Sequence, residues 1–276
     1  MGFQPAEVVM LPIGIEDESG QRFREVIIDE MTGVDEENIA SKKLRNNGAK
    51  AVTVLLQRCI QAIPGLVEKK KRSTDLIDAR IIQNLYTADR DFLFFCIRAL
   101  SMDDTFESPV SCPKCGEVQE NTYNVSDLDV LDLPPEEPAS LEIELPKGFE
   151  DEDGTFHKKV TWTFPKGKQQ EALAAMKQEK VGTSMITMCI TSVDGMERRP
   201  DSEMVRRLRT RDRMYLMEKV GASTPGVDLR QDFCCESCGH EWEGAIDVQS
   251  FFNLAGGGTG THSNGGMSGQ KLKRRR

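Results

Sequence analysis

The alternation of apolar and polar positions predicts β-hairpins that are followed by helices. In the second half of the chain, residues 141–145 alternate between apolar and polar side chains, and residues 160–164 do so again. Two segments of period two around an acidic turn that contains glycine predict a hairpin. The turn, at residues 150–154, lacks the later ligands of a calcium-binding loop, so we interpret it as a solvated turn.

A helical period follows each predicted hairpin. Apolar residues recur at helical spacing and stop before Pro64-Gly65: Val52, Leu55, Leu56, Cys59, Ile60 and Ile63. Residues 185–193 repeat this stripe. Further helices are predicted to begin at Thr87 and Thr210, which we expect to be N-caps. Each is followed by an Asp-Arg pair, which we interpret as helix capping and local ion pairing.

The same order of motifs occurs twice along the chain. Leu-Pro-Ile-Gly at 11–14 and Leu-Pro-Lys-Gly at 145–148 lie 134 residues apart, and Gly33 and Gly167 keep that spacing. Two Thr-x-Asp-Arg motifs and two Cys-x-x-Cys-Gly motifs share a spacing of 123 residues. An ordered set of matches predicts two copies of one unit. We therefore expect a first repeat at 6–131, a Pro-rich linker at 132–140, a second repeat at 141–254 and a disordered, Gly-rich basic tail at 255–276.

Composition and charge narrow the class of protein. The chain has 276 residues, of which 38% are hydrophobic and 29% charged, and its net charge is −9. These values are typical of a folded domain. An acidic balance argues against sequence-independent binding of nucleic acid, which requires cations. No apolar run approaches the roughly 20 residues of a membrane span, and we expect no signal peptide. We expect the protein in a cytoplasm, where its eight cysteines would be thiols or metal ligands.

Four of these cysteines have the spacing of a metal site. Each predicted repeat ends in a knuckle, Cys112-x-x-Cys115-Gly and Cys235-x-x-Cys238-Gly, between short β-like stretches. One knuckle supplies two thiolates, and tetrahedral zinc needs four, so the two knuckles are expected to share one structural Zn²⁺. Cys234 and His240 are possible substitutes, and reduced thiols without metal or half-sites shared between subunits are the alternatives. The predicted fold is therefore α+β: two pseudo-symmetric copies of a hairpin–helices–knuckle unit around one zinc-ribbon-like site of four cysteines.

Other candidate chemistry is weak. The chain contains no nucleophile elbow, P-loop or zinc-protease motif, so we expect neither an enzyme nor a small-molecule substrate. Cys59, Cys96 and Cys189 lie on apolar helical faces and are expected in the core. Arginines cluster between Arg198 and Arg213, diluted by acidic residues, and we interpret them as a solvated helix face. A zinc-ribbon protein that uses this cluster and the basic tail to bind nucleic acid is the alternative function.

The ordered motifs also resemble a known family. Thr-Ala-Asp-Arg-Asp-Phe-Leu-Phe-Phe-Cys-Ile-Arg-Ala-Leu at 87–100, followed by Cys-Pro-Lys-Cys-Gly at 112–116, resembles the baseplate hub and hub-assembly proteins of T-even-type contractile-tailed bacteriophages, also described as tail assembly chaperones. The resemblance covers most of residues 6–131 and returns more weakly over 141–252; the basic tail departs from it. It implies a non-enzymatic protein that docks other hub or tape-measure proteins, in the host cell cytoplasm, with the tail baseplate of the virion as a second location.

Overall fold

The computed structural model describes residues 7–39, 41, 44, 47–72, 74–102 and 104–246. It is a mixed α+β structure with small antiparallel sheets, as predicted. The first half contains β1 (Val8–Glu16), β2 (Arg22–Ile28), α1 (Gly33–Ile39), α2 (Gly48–Cys59), β3 (Ile60–Ala62), α3 (Ala79–Asn84), α4 (Thr87–Ser101), β4 (Thr105–Ser111), β5 (Val118–Asn124) and β6 (Val130–Leu131).

The second half has a similar order of elements. It contains β7 (Ser140–Glu150), β8 (Phe156–Thr163), α5 (Gly167–Ala174), α6 (Gln178–Cys189), β9 (Ile190–Val193), α7 (Ser202–Arg207), α8 (Thr210–Ser223), β10 (Gly226–Val227), β11 (Arg230–Cys234) and β12 (Glu241–Ala245). Asn47, Asp78 and Asp201 cap α2, α3 and α7, and each accepts a hydrogen bond from a backbone N–H of the first turn.

The described residues divide into two compact units that do not coincide with the predicted repeats. The larger unit takes its residues from 1–106 and 124–229, and the smaller unit from 107–123 and 230–276. Each unit therefore contains residues from both halves of the chain. The predicted tail at 255–276 lies outside the described residues.

Two three-stranded sheets in the larger unit are built alike. Their strand orders are β1-β2-β3 and β7-β8-β9. Val9 pairs with Val26 in the first sheet, and Ile143 with Val160 in the second. The first strand of each sheet is interrupted by an irregularity next to Gly14 or Gly148. A side chain at either glycine would overlap the neighbouring strand, because an added Cβ would lie 2.8 Å from Phe23 O or 2.1 Å from His157 O.

The structure corrects the predicted boundaries of several helices. The apolar stripe of α2 does not continue to Ile63: the helix ends at Cys59, and Ile60 is extended and pairs with Ile28. Residues 60–63 satisfy both a helical and a strand pattern, and pairing in the sheet decides between them. Thr87 and Thr210 are the first residues of α4 and α8 rather than their N-caps.

The segment predicted as a linker is packed within the larger unit. Leu133 and Ala139 are buried, and the N–H of Leu133 donates to Pro12 O at 2.9 Å. The guanidinium of Arg24 binds the Asp132 carboxylate at 2.7 Å. Prolines restrict this segment, and its apolar residues still find positions in the core.

The Asp-Arg pairs hold distant segments together, so their interpretation as local caps and ion pairs is wrong. The Asp89 carboxylate is fully buried and accepts hydrogen bonds from the N–H groups of Ile13 (2.7 Å) and Gly14 (2.9 Å) in the irregular part of β1. Asp212 accepts from the N–H of Lys147 at 2.7 Å in the same part of β7. Each aspartate thus supplies the acceptor that the interrupted strand pairing leaves missing.

Arg90 is also fully buried. Its Nη1 donates to Ile82 O at 3.1 Å, and its Nη2 donates to Ala49 O at 2.7 Å and to Thr53 Oγ1 at 2.9 Å. Burial lowers the pKa of Arg90 to about 10, so the side chain is cationic at neutral pH. Arg213 is half-buried and donates in the same way to Thr183 Oγ1 (3.2 Å) and Val205 O (3.3 Å).

Candidate metal centre

Two hairpins of the smaller unit carry the predicted knuckles. One turn connects β4 to β5, and the other connects β11 to β12. In both turns the first cysteine donates its N–H five residues ahead: Cys112 to Glu117 O at 2.8 Å, and Cys235 to His240 O at 2.9 Å. The following glycines, Gly116 and Gly239, have φ values of 78° and 64°, which favour glycine. The two turns therefore present their thiols in the same local geometry.

The structure brings the four predicted sulfurs together. Cys112, Cys115, Cys235 and Cys238 have all their Sγ atoms within 4.8 Å of one another. Cys112 Sγ lies 3.7 Å from Cys238 Sγ, and Cys115 Sγ lies 3.6 Å from Cys235 Sγ. Around tetrahedral zinc, with Zn–S bonds of about 2.3 Å, neighbouring sulfurs are about 3.8 Å apart. The arrangement can hold one metal ion, and its donor set fits Zn²⁺.

Side chains next to the knuckles fix the two hairpins against each other. The Gln119 amide donates to Cys234 O at 3.1 Å, and its oxygen accepts the N–H of Glu236 at 3.2 Å. On the second hairpin, Phe233 pairs with Trp242 across the strands, and their rings stack with centroids 5.3 Å apart. These contacts surround the four thiols and help to orient both turns.

Cys234 and His240, the possible substitutes, lie outside this cluster of sulfurs. Successive side chains of a strand point to opposite faces, so Cys234 is exposed where Cys235 is buried. The ring of His240 lies over Trp242, with centroids 6.0 Å apart. The geometry therefore favours Cys235 as the partner of Cys238.

The thiols of the cluster share their protons unequally. Burial opposes ionisation of Cys112, but hydrogen bonds from the N–H groups of Cys115 and Lys114 outweigh it and lower the pKa of Cys112 to about 7. The pKa of Cys115 is raised to about 12: the N–H of Glu117 acts to lower it, but burial and the neighbouring thiols dominate. Thiolates held within 4.8 Å of one another repel, and a bound divalent cation would balance their charge.

The other cysteines on helices belong to the core, as predicted. Cys59, Cys96 and Cys189 are buried. Burial raises the pKa of Cys59 and of Cys189 to about 12 and raises that of Cys96 as well. These thiols stay protonated at neutral pH and act as small apolar side chains.

Comparison with known protein families agrees with the resemblance found in the sequence. A family model described as T4 bacteriophage base plate protein matches residues 24–253. The chain belongs to this family. The match includes all four cysteines of the cluster, and membership indicates a structural protein of the phage tail that contacts other tail proteins. Comparisons with curated proteins and with solved structures give no significant match. Within the described part of the chain, each helix is too short or too polar to cross a membrane.

Proposed function

We propose that this base plate family protein is a non-enzymatic docking protein of the baseplate hub or of its assembly, and that it acts in the host cell cytoplasm. The observation that carries this proposal is the family match over residues 24–253. Its partners are other hub or tape-measure proteins. The protein supplies a scaffold of fixed geometry whose exposed surfaces bind them.

Zinc is the second part of the proposal. Cys115 and Cys235 are 120 residues apart in sequence, and their sulfurs are 3.6 Å apart. A Zn²⁺ held by all four thiolates leaves no position for water, so the metal is structural. Its binding stabilises the folded smaller unit, since the unfolded chain offers no assembled site.

The third part is an internal duplication. The corresponding helices α2 and α6 lie 130 residues apart, and α3 and α7 lie 123 residues apart. Ile28 pairs with Ile60 in the first sheet, and Trp162 with Ile190 in the second, so the pairing of the third strands also corresponds. Two copies of one ancestral unit explain this agreement of order, register and buried aspartates.

Co-purification tests the docking proposal. Tagged protein, expressed in infected cells at its natural level, is expected to retain hub or tape-measure proteins, identified by mass spectrometry. A tagged form of an unrelated acidic phage protein is the control. Retention of no tail protein contradicts the proposal, and retention of DNA or RNA that high salt releases supports the nucleic-acid alternative.

Metal analysis tests the zinc proposal separately. The purified protein is expected to contain about one zinc per chain. Cys112→Ser removes one of the four sulfurs and is expected to abolish stable binding, whereas Cys234→Ser, which alters an exposed thiol outside the cluster, retains the metal. Because Cys112→Ser can also unfold the smaller unit, the unmutated protein is stripped with a chelator and reloaded; recovery of the melting transition supports the proposal. Equal zinc content in both variants contradicts it.

A further inference from the structure

Helix α5 of the second half packs against helices of the first half through a buried carboxylate. Glu171 is 9% exposed. Its carboxylate accepts hydrogen bonds from the Thr53 hydroxyl and, at 3.0 Å, from Gln83 Nε2. One position earlier in the helix, Gln170 Oε1 accepts from Arg90 Nε at 3.1 Å. The first half therefore has a receptor site for this helix, formed by Thr53, Gln83 and Arg90.

Gly167 allows α5 to approach this closely. A Cβ at Gly167 would lie 2.4 Å from Arg90 Nη1, and the N–H of Gly167 donates to Leu85 O at 2.9 Å. Since Arg90 is held by further hydrogen bonds on its other side, it has little room to move away. A larger residue at 167 would push the helix off its receptor.

The second half has a corresponding set of three side chains. In the described part of the chain, no helix docks on them as α5 docks on Thr53, Gln83 and Arg90. At the positions of Thr53, Gln83 and Arg90 the second half has Thr183, Arg206 and Arg213, which we call the receptor surface. Arg206 is exposed, and Thr183 and Arg213 are half-buried. Helix α2 buries seven of its residues, whereas its counterpart α6 buries two. The receptor surface thus carries two cations, one exposed and one half-buried.

The counterpart of α5 in the first half is α1. Helix α1 buries Asp35 and Ile39, and the guanidinium of Arg58 in α2 binds Asp35, but the face of α1 that corresponds to the docking face of α5 is exposed. At the positions of Gly167, Gln170 and Glu171 it has Gly33, Glu36 and Glu37, and all three are exposed. An added Cβ at Gly33 meets no atom within 4 Å. Nothing within the described chain therefore requires glycine there, although the corresponding glycine of α5 is required by its contact with Arg90.

We propose that α1 of one copy of this protein docks on the receptor surface of a second copy, as α5 docks on the first half within one chain. The charges are complementary, since Glu36 and Glu37 would meet Arg206 and Arg213. The contact joins different surfaces of the two copies, so it is head-to-tail and generates a ring or an open chain. The inference rests on the duplication proposed above. It specifies a second copy because both complementary surfaces belong to this chain.

Charge reversal tests this contact in the zinc-loaded full-length protein. Sedimentation velocity over a range of protein concentrations is expected to show association of the unmutated chain. Glu37→Arg and Arg206→Glu, each at an exposed position, are each expected to weaken association by about tenfold or more, and the double variant to restore much of it. Glu18→Arg, in the exposed turn between β1 and β2, is the matched control and is expected to associate normally.

Gly33→Leu provides a second variant that leaves all charges in place. It is expected to block association without lowering the melting temperature, because an added side chain at Gly33 meets nothing in the isolated chain. A chain that stays monomeric at every concentration overturns the inference. Association that neither single charge reversal weakens also overturns it, as does a double variant that associates no more strongly than the single variants. If self-association is absent and Arg206→Glu loses a tail protein that the unmutated chain captures, another acidic protein occupies the receptor surface, and this result also overturns the inference. Capture of tail proteins by variants that do not associate leaves the docking function intact, so the two proposals fail separately.

Discussion

Replacing Arg90 with methionine tests whether the buried polar contacts, rather than local capping, stabilise the larger unit. Arg90 donates hydrogen bonds to four acceptors, Ile82 O, Ala49 O, Thr53 Oγ1 and Gln170 Oε1. The substitution keeps much of the apolar length of the side chain. It removes the cation and its donors from a site that water does not reach.

The expected loss follows from burial. Thr53 would keep its hydrogen bonds to Ala49 O (3.2 Å) and to the buried carboxylate of Glu171, and that carboxylate would lose the neighbouring charge of Arg90. Removing one member of a buried charged group costs about 3–5 kcal/mol of unfolding free energy. For a unit of this size the loss corresponds to a melting temperature lower by about 6–20 °C. Arg213→Met is the matched control: Arg213 makes similar contacts but is partly solvated, so we expect a loss of about 1 kcal/mol.

Calorimetry and chemical denaturation of both variants, at a concentration where the protein is monomeric, measure the difference. A double variant, Arg90→Met with Glu171→Leu, is expected to be more stable than Arg90→Met alone, since the buried Glu171 charge is no longer left without Arg90. Equal losses for Arg90→Met and Arg213→Met would refute the argument from burial. A double variant as unstable as the sum of its single changes would refute the coupling between the two residues.

Two further predictions concern single positions. Gly167→Ala is expected to lower the unfolding free energy by about 1–3 kcal/mol, because its Cβ would overlap Arg90. Gly33→Ala is expected to leave the unfolding free energy unchanged or to raise it by up to about 1 kcal/mol. Equal effects of the two substitutions in calorimetry would contradict the contact between Gly167 and Arg90. The pKa of His157, measured by NMR titration, is expected above its ordinary 6.5, chiefly because of its hydrogen bond to Asp151 (2.8 Å), and to fall in Asp151→Asn. Since folding raises this pKa, the contribution of His157 to stability is present below pH 6.5 and is lost as the pH rises through its folded value; an unchanged pKa in the variant would exclude the pairing.

The knuckles and hairpins could be predicted because their determinants are local. A Cys-x-x-Cys-Gly turn fixes its own geometry, and because a tetrahedral metal site needs four ligands, two such turns are expected to meet across any length of chain. The strand pattern at 141–145 and 160–164 likewise predicts β7 and β8, where Ile143 pairs with Val160. The family resemblance depends on the same local motifs, and the match over residues 24–253 confirms it at the level of the baseplate family.

The roles of Asp89 and Arg90 could not be predicted because their partners are distant in sequence. An aspartate in the first turn of a helix has a sufficient local explanation, so nothing in the pattern indicates the N–H groups of Ile13 and Gly14. Those donors become available only because the strand pairing is interrupted at Gly14, which is a consequence of tertiary structure. The burial of Leu133 in the predicted linker has the same origin.

How deeply two corresponding helices are buried depends on the elements that pack against them, and the periodic pattern of a helix does not reveal those elements. The stripes of α2 and α6 are alike, yet α2 is covered by α5 and buries seven residues, whereas α6 buries two and has most of the others half-buried or exposed. The difference appears in the polar positions instead: Gln83, which meets the Glu171 carboxylate inside the chain, corresponds to Arg206, which faces solvent. The neutral amide of Gln83 is sufficient as a donor because the neighbouring buried Arg90 already balances the charge of the Glu171 carboxylate. A second arginine on an exposed site suits a partner that brings two carboxylates, which is what Glu36 and Glu37 of α1 offer.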